Sequence, residues 1–198
     1  MSRRCEHKFE ILDDYGLIKS FEFKDVKGVK RNSSEFEGDL LLITTIQNTC
    51  PDSCAILMWH TNQMIYQHIW KNRTKKLKQV KILSFVTDGK GNQVRDLTKI
   101  NAKIKARVEN YDPELWILAS GDARSVYNIE NNGQTLLQKG DEYFGGEGFQ
   151  ELMLLLDKKQ HLRMVLSGKQ EGHIRRMKQS IALLQKQYDK NTATKKKQ

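Results

Sequence analysis

The sequence predicts a mixed α/β fold, a central mixed sheet flanked by helices and followed by a basic C-terminal helix and tail. Three observations point there. Apolar runs of strand length recur along the first two thirds of the 198 residues. Apolar residues at spacings of three and four mark a helix near the end. The only two prolines, Pro51 and Pro113, fall between these runs, where the missing N–H is tolerated. The length suits one domain with room for a core, and 38% hydrophobic with 29% charged residues describes a folded body.

The elements follow in order. Between His7 and Val29, apolar and polar residues alternate around Asp13-Asp14-Tyr15-Gly16, which reads as a hairpin of strands 8–12 and 17–24. The run 39–46 reads as a strand. So do 54–59 and 64–70, paired through a Thr61-Asn62 turn, and 78–86, closed by Asp88-Gly89 and Gly91-Asn92. Residues 96–111 carry both an alternating and a helical pattern. The length of the stretch, the Asp96 cap and the Asp112-Pro113 stop favour a helix. The run 115–119 predicts a buried strand, 126–129 a further one, and Gly145-Gly146-Glu147-Gly148 a hinge into a helix over 149–159. Ile174, Met177, Ile181, Leu184 and Tyr188 form a seam over two heptads. These readings divide the chain into a mixed α/β domain at 1–167, a basic amphipathic helix at 168–189 and a disordered basic tail at 190–198.

Charge is sorted into blocks. Residues 71–107 carry twelve Lys or Arg against Asp88 and Asp96, and residues 169–198 carry nine against Glu171 and Asp189. The rest of the chain is net acidic, within a total of +10. Concentrated positive charge is the footprint of a polyanion partner, so nucleic acid, DNA first, is expected. Its contacts are expected at Lys71, Arg73, Lys75, Lys76, Lys78, Lys81, Lys99, Lys103, Lys105, Arg107, Arg175, Arg176 and Lys178. The C-terminal helix is the expected surface for a homodimer or a partner protein. No run approaches the roughly 18 apolar residues of a membrane span, and the start lacks the apolar segment of a secretory signal, so an intracellular protein without a membrane partner is expected.

Three cysteines, an odd number, argue against a disulfide framework. Cys50 and Cys54 with Cys5 and His7 offer zinc-type donors, but the C-x₃-C spacing encloses Pro-Asp and no second pair follows, which disfavours zinc. No Gly-x-Ser-x-Gly elbow accompanies Ser120, Ser125, Asp122 or the histidines.

The first hairpin holds the sharpest candidate for chemistry. Asp13-Asp14 leads into a strand on which Glu22 and Lys24 share one face. Carboxylates on neighbouring strands suit Mg²⁺, and a nearby lysine suits activation of a water. This pattern resembles the PD-(D/E)xK nucleases of the type II restriction endonuclease kind. The 112–118 stretch, Asp-Pro-Glu-Leu-Trp-Ile-Leu, looks like that fold's passage into its central strand, and 140–152 is similar to a segment near the end of some members. The resemblance implies a Mg²⁺-dependent DNA endonuclease with Asp13, Asp14 and Glu22 on the metal and Asp14, Glu22 and Lys24 in catalysis. A non-catalytic nucleic-acid-associated module or a protein-interaction adaptor stands as the alternative.

Overall fold

The computed structural model describes residues 12–49, 56–74, 77–131, 133–140 and 146–195. A short hairpin, β1 (Glu22–Lys24) with β2 (Lys30–Asn32), precedes a single 3-10 turn at Ser33–Phe36. The apolar runs then form β3 (Leu40–Gln47), β4 (Val80–Thr87) and β5 (Trp116–Ala119). Between them lie α1 (Ile56–His60), a π-helical stretch Thr61–Tyr66, α2 (Gln67–Asn72) and α3 (Thr98–Arg107). After β5 come the short α4 (Ala123–Val126), the two-residue strands β6 (Glu130–Asn131) and β7 (Gln134–Thr135), and a 3-10 turn at Gly148–Glu151. The chain closes with β8 (Leu152–Leu156), β9 (Leu162–Ser167) and α5 (Glu171–Lys195).

The main sheet has the order β5-β4-β3-β8-β9, with β3, β4 and β5 parallel and β8 and β9 antiparallel. Strands buried on both faces read as continuous apolar runs. Alternation sorts their side chains: Leu40, Leu42, Ile82, Val86, Trp116, Leu118 and Leu155 face a layer made by α1 to α3 and α5. Leu41, Ile43, Leu83, Phe85, Ile117 and Leu154 face Phe23, Phe36, Val126, Tyr127 and Phe149 on the other side. One polar chain crosses the first core. Trp116 Nε1 donates to Ser84 Oγ at 2.8 Å, and that hydroxyl lies 2.6 Å from Thr44 Oγ1.

The mixed α/β class holds, with local differences. The hairpin read from strands 8–12 and 17–24 does not form among the described residues: 12–21 form no strand, Glu22–Lys24 pairs instead with Lys30–Asn32, and 8–11 lie outside the described residues. Residues 56–72 are helical because Leu57, Met58, Ile65, Tyr66 and Ile69 recur on one face, and tertiary packing outweighs the β propensity of the Trp- and Ile-containing segments read as strands. Residues 152–156 are a strand, not part of a helix, because Leu152–Leu156 fills the position between β3 and β9 and is covered on both faces. The 126–129 stretch ends α4 before β6 instead of forming a strand itself. Helix α5 runs through Lys195, and its seam residues Ile174, Met177, Ile181 and Leu184 are buried in the core. The seam read as a surface for a homodimer or a partner is therefore covered by the chain's own sheet.

Residues 12–24 strap the molecule from one sheet edge to the other. Tyr15 N donates to Leu162 O and Leu162 N to Gly16 O, each at 2.9 Å, along the β9 edge. Lys24 N and Ser120 O, at 2.8 Å, close the strap onto the β5 edge. Arg163 fastens the first end, donating to Leu12 O, Asp13 O and the Asp157 carboxylate. Asp14 accepts from Gly16 N at 2.9 Å and lies 3.0 Å from His161 Nδ1, and these bonds hold its carboxyl below its ordinary range. A depressed carboxyl stabilises the fold above its unfolded pKa and loses that contribution as pH falls through its folded value. Asp14→Asn is expected to lower the melting temperature slightly at neutral pH, with the difference from the native protein vanishing at a pH well below the usual carboxylate range.

Candidate functional site

In open sheets, ligands and reactive groups gather beyond the carboxyl ends of the parallel strands. Here that end joins β3 to the continuous helical run 56–72 through Asn48-Thr49-Cys50-Pro51-Asp52-Ser53-Cys54-Ala55. Cys50 and Cys54, like Cys5 and His7, lie outside the described residues. The groups that border the segment are described. Asn48 N donates to Thr87 O at 2.8 Å, and Thr49 Oγ1 packs against Gly89.

The turn after β4 is built around Asp88. Its carboxylate accepts from Lys90 N at 2.8 Å, from Asn92 N at 2.9 Å and from Asn92 Nδ2 at 2.9 Å. Desolvation pushes this carboxyl up, but the Asn92 and Lys90 bonds outweigh it and hold it below the ordinary range. Gly91 completes the turn at φ +77°, a conformation that favours glycine. A Cβ there would also stand 2.7 Å from the ring of the fully buried Phe149. Gly91→Ala is therefore expected to destabilise by about 1–3 kcal/mol, read by chemical denaturation.

Opposite this turn, the Gly148–Glu151 segment is locked from three sides. Thr45 Oγ1 donates to Gln150 O and Thr87 Oγ1 to Gln150 Oε1, both at 2.6 Å, while Gln150 Nε2 reaches Gly89 O at 3.3 Å. Arg124 lies over Phe149, pairs with Glu147 at 3.1 Å and donates to Lys90 O. On the helical side, His60 Nδ1 lies 3.1 Å from Gly168 O, and Gly168 N donates to Glu151 O at 2.7 Å. Lys169 pairs with Glu151 at 2.6 Å. The segment bearing the two cysteines thus springs from a rim whose polar groups are mutually bonded, so the rim is a rigid support.

The nuclease constellation is not assembled. Asp13 and Asp14 sit at the β9 edge, where the Tyr15 hydroxyl binds Asp13 and His161 binds Asp14. Glu22 and Lys24 sit on β1, opposite Asn32 and Lys30, and Lys24 adjoins Ser120 at the β5 edge. Four strand spacings separate the two edges, roughly 19 Å, too far for carboxylates to share a Mg²⁺. Among the described residues no three His, Cys, Asp or Glu side chains are grouped as a metal would need. The basic residues expected on DNA spread over α2, α3, α5 and the starts of strands. Arg73 stacks on Trp70 and Lys81 donates to Glu114 O. Lys103 and Arg107 are engaged within the chain, and Arg175 pairs with Glu171. Lys75 and Lys76 lie outside the described residues. The 141–145 part of the second nuclease-like segment does too, and 112–118 leads into β5 at the sheet edge rather than into a central strand.

A surface groove of about 200 Å³ lies beside the β1–β2 hairpin, and grooves of about 320 and 480 Å³ lie along the strap. Asn101 and Tyr111 border the first, Arg163 and Arg176 the second, Leu17 and Ile129 the third. The sequence marks Gly91 as a turn residue and Phe149 and Gln150 as part of a helix and of the nuclease-like segment, and neither pattern nor motif signals their place around the turn after β4. The undervalued signal is the pair Cys50 and Cys54 directly after the apolar run of β3.

No family model and no curated protein matches the chain. Solved structures do. A SCO1/SenC family lipoprotein from Bacillus anthracis superposes with a TM-score of 0.59 at 16% identity, over 85% of this chain and 94% of that one. Arabidopsis thaliana ScoI with copper bound gives 0.58 at 13% identity, over 87% and 100%. The thioredoxin domain of a thiol-disulfide oxidoreductase from Bacteroides vulgatus gives 0.51 at 14% identity, over 87% and 99%. These likenesses overturn the nuclease resemblance, and with it the DNA partner and the Mg²⁺ cofactor: the five-stranded sheet with flanking helices is a thioredoxin-like fold.

Proposed function

We propose that the protein is a thiol-based binding module in which Cys50 and Cys54 act as a pair on a partner protein. The observation that carries this reading is their place in the chain. Both fall in the connection from the carboxyl end of β3 to the helical run starting at Ile56. A helix N-terminus favours thiolate over thiol, and the thiolate is both the nucleophile and the ligand for soft metals. The thiol-disulfide oxidoreductase neighbour supports the same reading at the level of fold.

In the exchange, one thiolate attacks a sulfur of the partner's disulfide and displaces the other as a thiolate. The second cysteine of the pair then attacks the mixed disulfide. The partner leaves as a dithiol and Cys50–Cys54 becomes the disulfide, so two electrons and two protons have passed to the partner. The pair also fits Cu(I), because thiolates are soft donors, and copper is the metal bound by the Arabidopsis neighbour. Cys50 and Cys54 would hold the ion, and bound copper would supply one-electron redox chemistry. The Gln150 amide, which reaches toward the segment through Gly89, is engaged by Thr87 and Gly89, so the two sulfurs are the donors assigned.

Equilibration in glutathione buffers of graded potential tests the reading. One two-electron transition shared by the two cysteines is expected. Separate glutathione adducts on each thiol, with no intramolecular disulfide at any potential, would overturn it.

A further inference from the structure

The basic residues that the thiol reading does not use gather at the opposite end of the sheet. Strand β3 is eight residues long, so its start lies about 25 Å from the thiol segment. At that start the 72–79 connection, the β8–β9 turn and the last part of α5 meet. Lys158 Nζ donates to Gln79 Oε1 at 2.5 Å and stands 5.1 Å from the ring of Tyr188 on α5. Gly38 N donates to Lys158 O, and Leu77 N to Asn72 O. Lys71 and Arg73 end α2, Lys78 follows, Lys159 sits in the turn, and Lys178, from the first third of α5, flanks the group. Burial and the nearby Lys178 charge together hold the His68 imidazole on α2 below its ordinary range, which places Lys178 beside α2.

None of these six cations lines the grooves beside the hairpin and the strap. Burial raises the Asp39 carboxyl above its ordinary range despite the nearby Lys81 and Lys158 cations. Five of the six are lysines, compact and strongly hydrated charges suited to diffuse attraction rather than to a fixed bidentate fit. The apolar side of α5 is covered by the core, so attachment through this end is electrostatic and shallow.

We propose that this end is a docking face for an anionic lipid surface. Juxtaposed basic residues are drawn to the negative potential of such a surface within a Debye length, and no penetrating segment is needed. Docking here directs the Cys50–Cys54 end away from the lipid. The inference rests on the charges and the topology alone and stands whether or not the two cysteines exchange.

The test is cosedimentation of the full chain with vesicles of phosphatidylcholine alone and of equal parts phosphatidylcholine and phosphatidylglycerol. The protein is expected to bind the anionic vesicles and not the neutral ones, with binding falling steeply as salt rises. Lys71→Glu with Lys78→Glu and Lys159→Glu is expected to weaken binding by about a hundredfold. Lys19→Glu with Lys27→Glu and Lys30→Glu makes the same change in net charge on exposed residues of the strap and first hairpin, and is expected to weaken it far less. Equal losses from the two variants would show a response to net charge only and overturn the proposal. Equal binding to neutral vesicles, or tighter retention of duplex DNA than of anionic vesicles at the same salt, would overturn it as well.

Discussion

Trp116→Ala is expected to cost about 3–5 kcal/mol, the range for truncating a large buried aromatic side chain. Trp116 is fully buried on β5, with its ring 5.4 Å from that of Tyr66. Its indole N–H satisfies Ser84 Oγ, which also meets Thr44 Oγ1, so the truncation opens a cavity and removes the donor that links β5 to β4. For a domain of this size the melting temperature is expected to fall by roughly 6–20 °C. Trp116→Phe separates the two contributions. It keeps most of the volume and loses the hydrogen bond, for which about 1–2 kcal/mol is expected. A loss below about 1 kcal/mol for the alanine variant in urea denaturation would show that the helical layer does not pack on this ring.

Replacing either cysteine of the pair is expected to change function completely and stability little. With Cys54→Ser, attack of Cys50 on a small disulfide such as hydroxyethyl disulfide leaves a mixed disulfide that nothing in the pair displaces. With Cys50→Ser the same holds for Cys54, and in the native protein the adduct resolves to the internal disulfide. Mass spectrometry after acid quenching reads the difference directly. Persistent adducts are expected in the single variants and transient ones in the native chain. Both variants are also expected to lose competition for Cu(I) against a chelator, since each removes half of the thiolate donors.

Much of the fold was legible in the sequence because the central strands declare themselves. Leu40 to Ile46 and Val80 to Val86 are runs too apolar for a surface, and burial on both faces of a parallel sheet explains why they do not alternate. Asp96, with its carboxylate on Thr98 N, marks the start of α3, while the helix ends at Arg107, five residues before the Asp112-Pro113 stop. The helical run 56–72 was less legible, since its Ile, Trp and Tyr residues favour strands locally and are held helical by burial of Leu57, Ile65 and Ile69. Leu152–Leu156 misled in the other direction, because leucine and methionine are good helix formers and only a central place in the sheet makes them a strand.

The candidate site was hidden for a different reason. Asp14, Glu22 and Lys24 are near in sequence, yet the strap between them spans the sheet and parts them. Gln150 and Gly89 are far apart in sequence, yet the fold bonds them beside Thr49, next to Cys50. Only the C-x₃-C pair was visible, and its meaning depended on knowing that a parallel strand precedes it and a helix follows.

Peptide mapping of the disulfide formed on mild oxidation decides whether Cys50 and Cys54 act as a pair. Reduced protein is oxidised with glutathione disulfide, alkylated, digested without reductant and analysed by mass spectrometry. A single cross-linked species joining Cys50 to Cys54, with Cys5 alkylated, is expected. A cross-link that recruits Cys5, or full alkylation of Cys50 and Cys54 in well-folded oxidised protein, would contradict it.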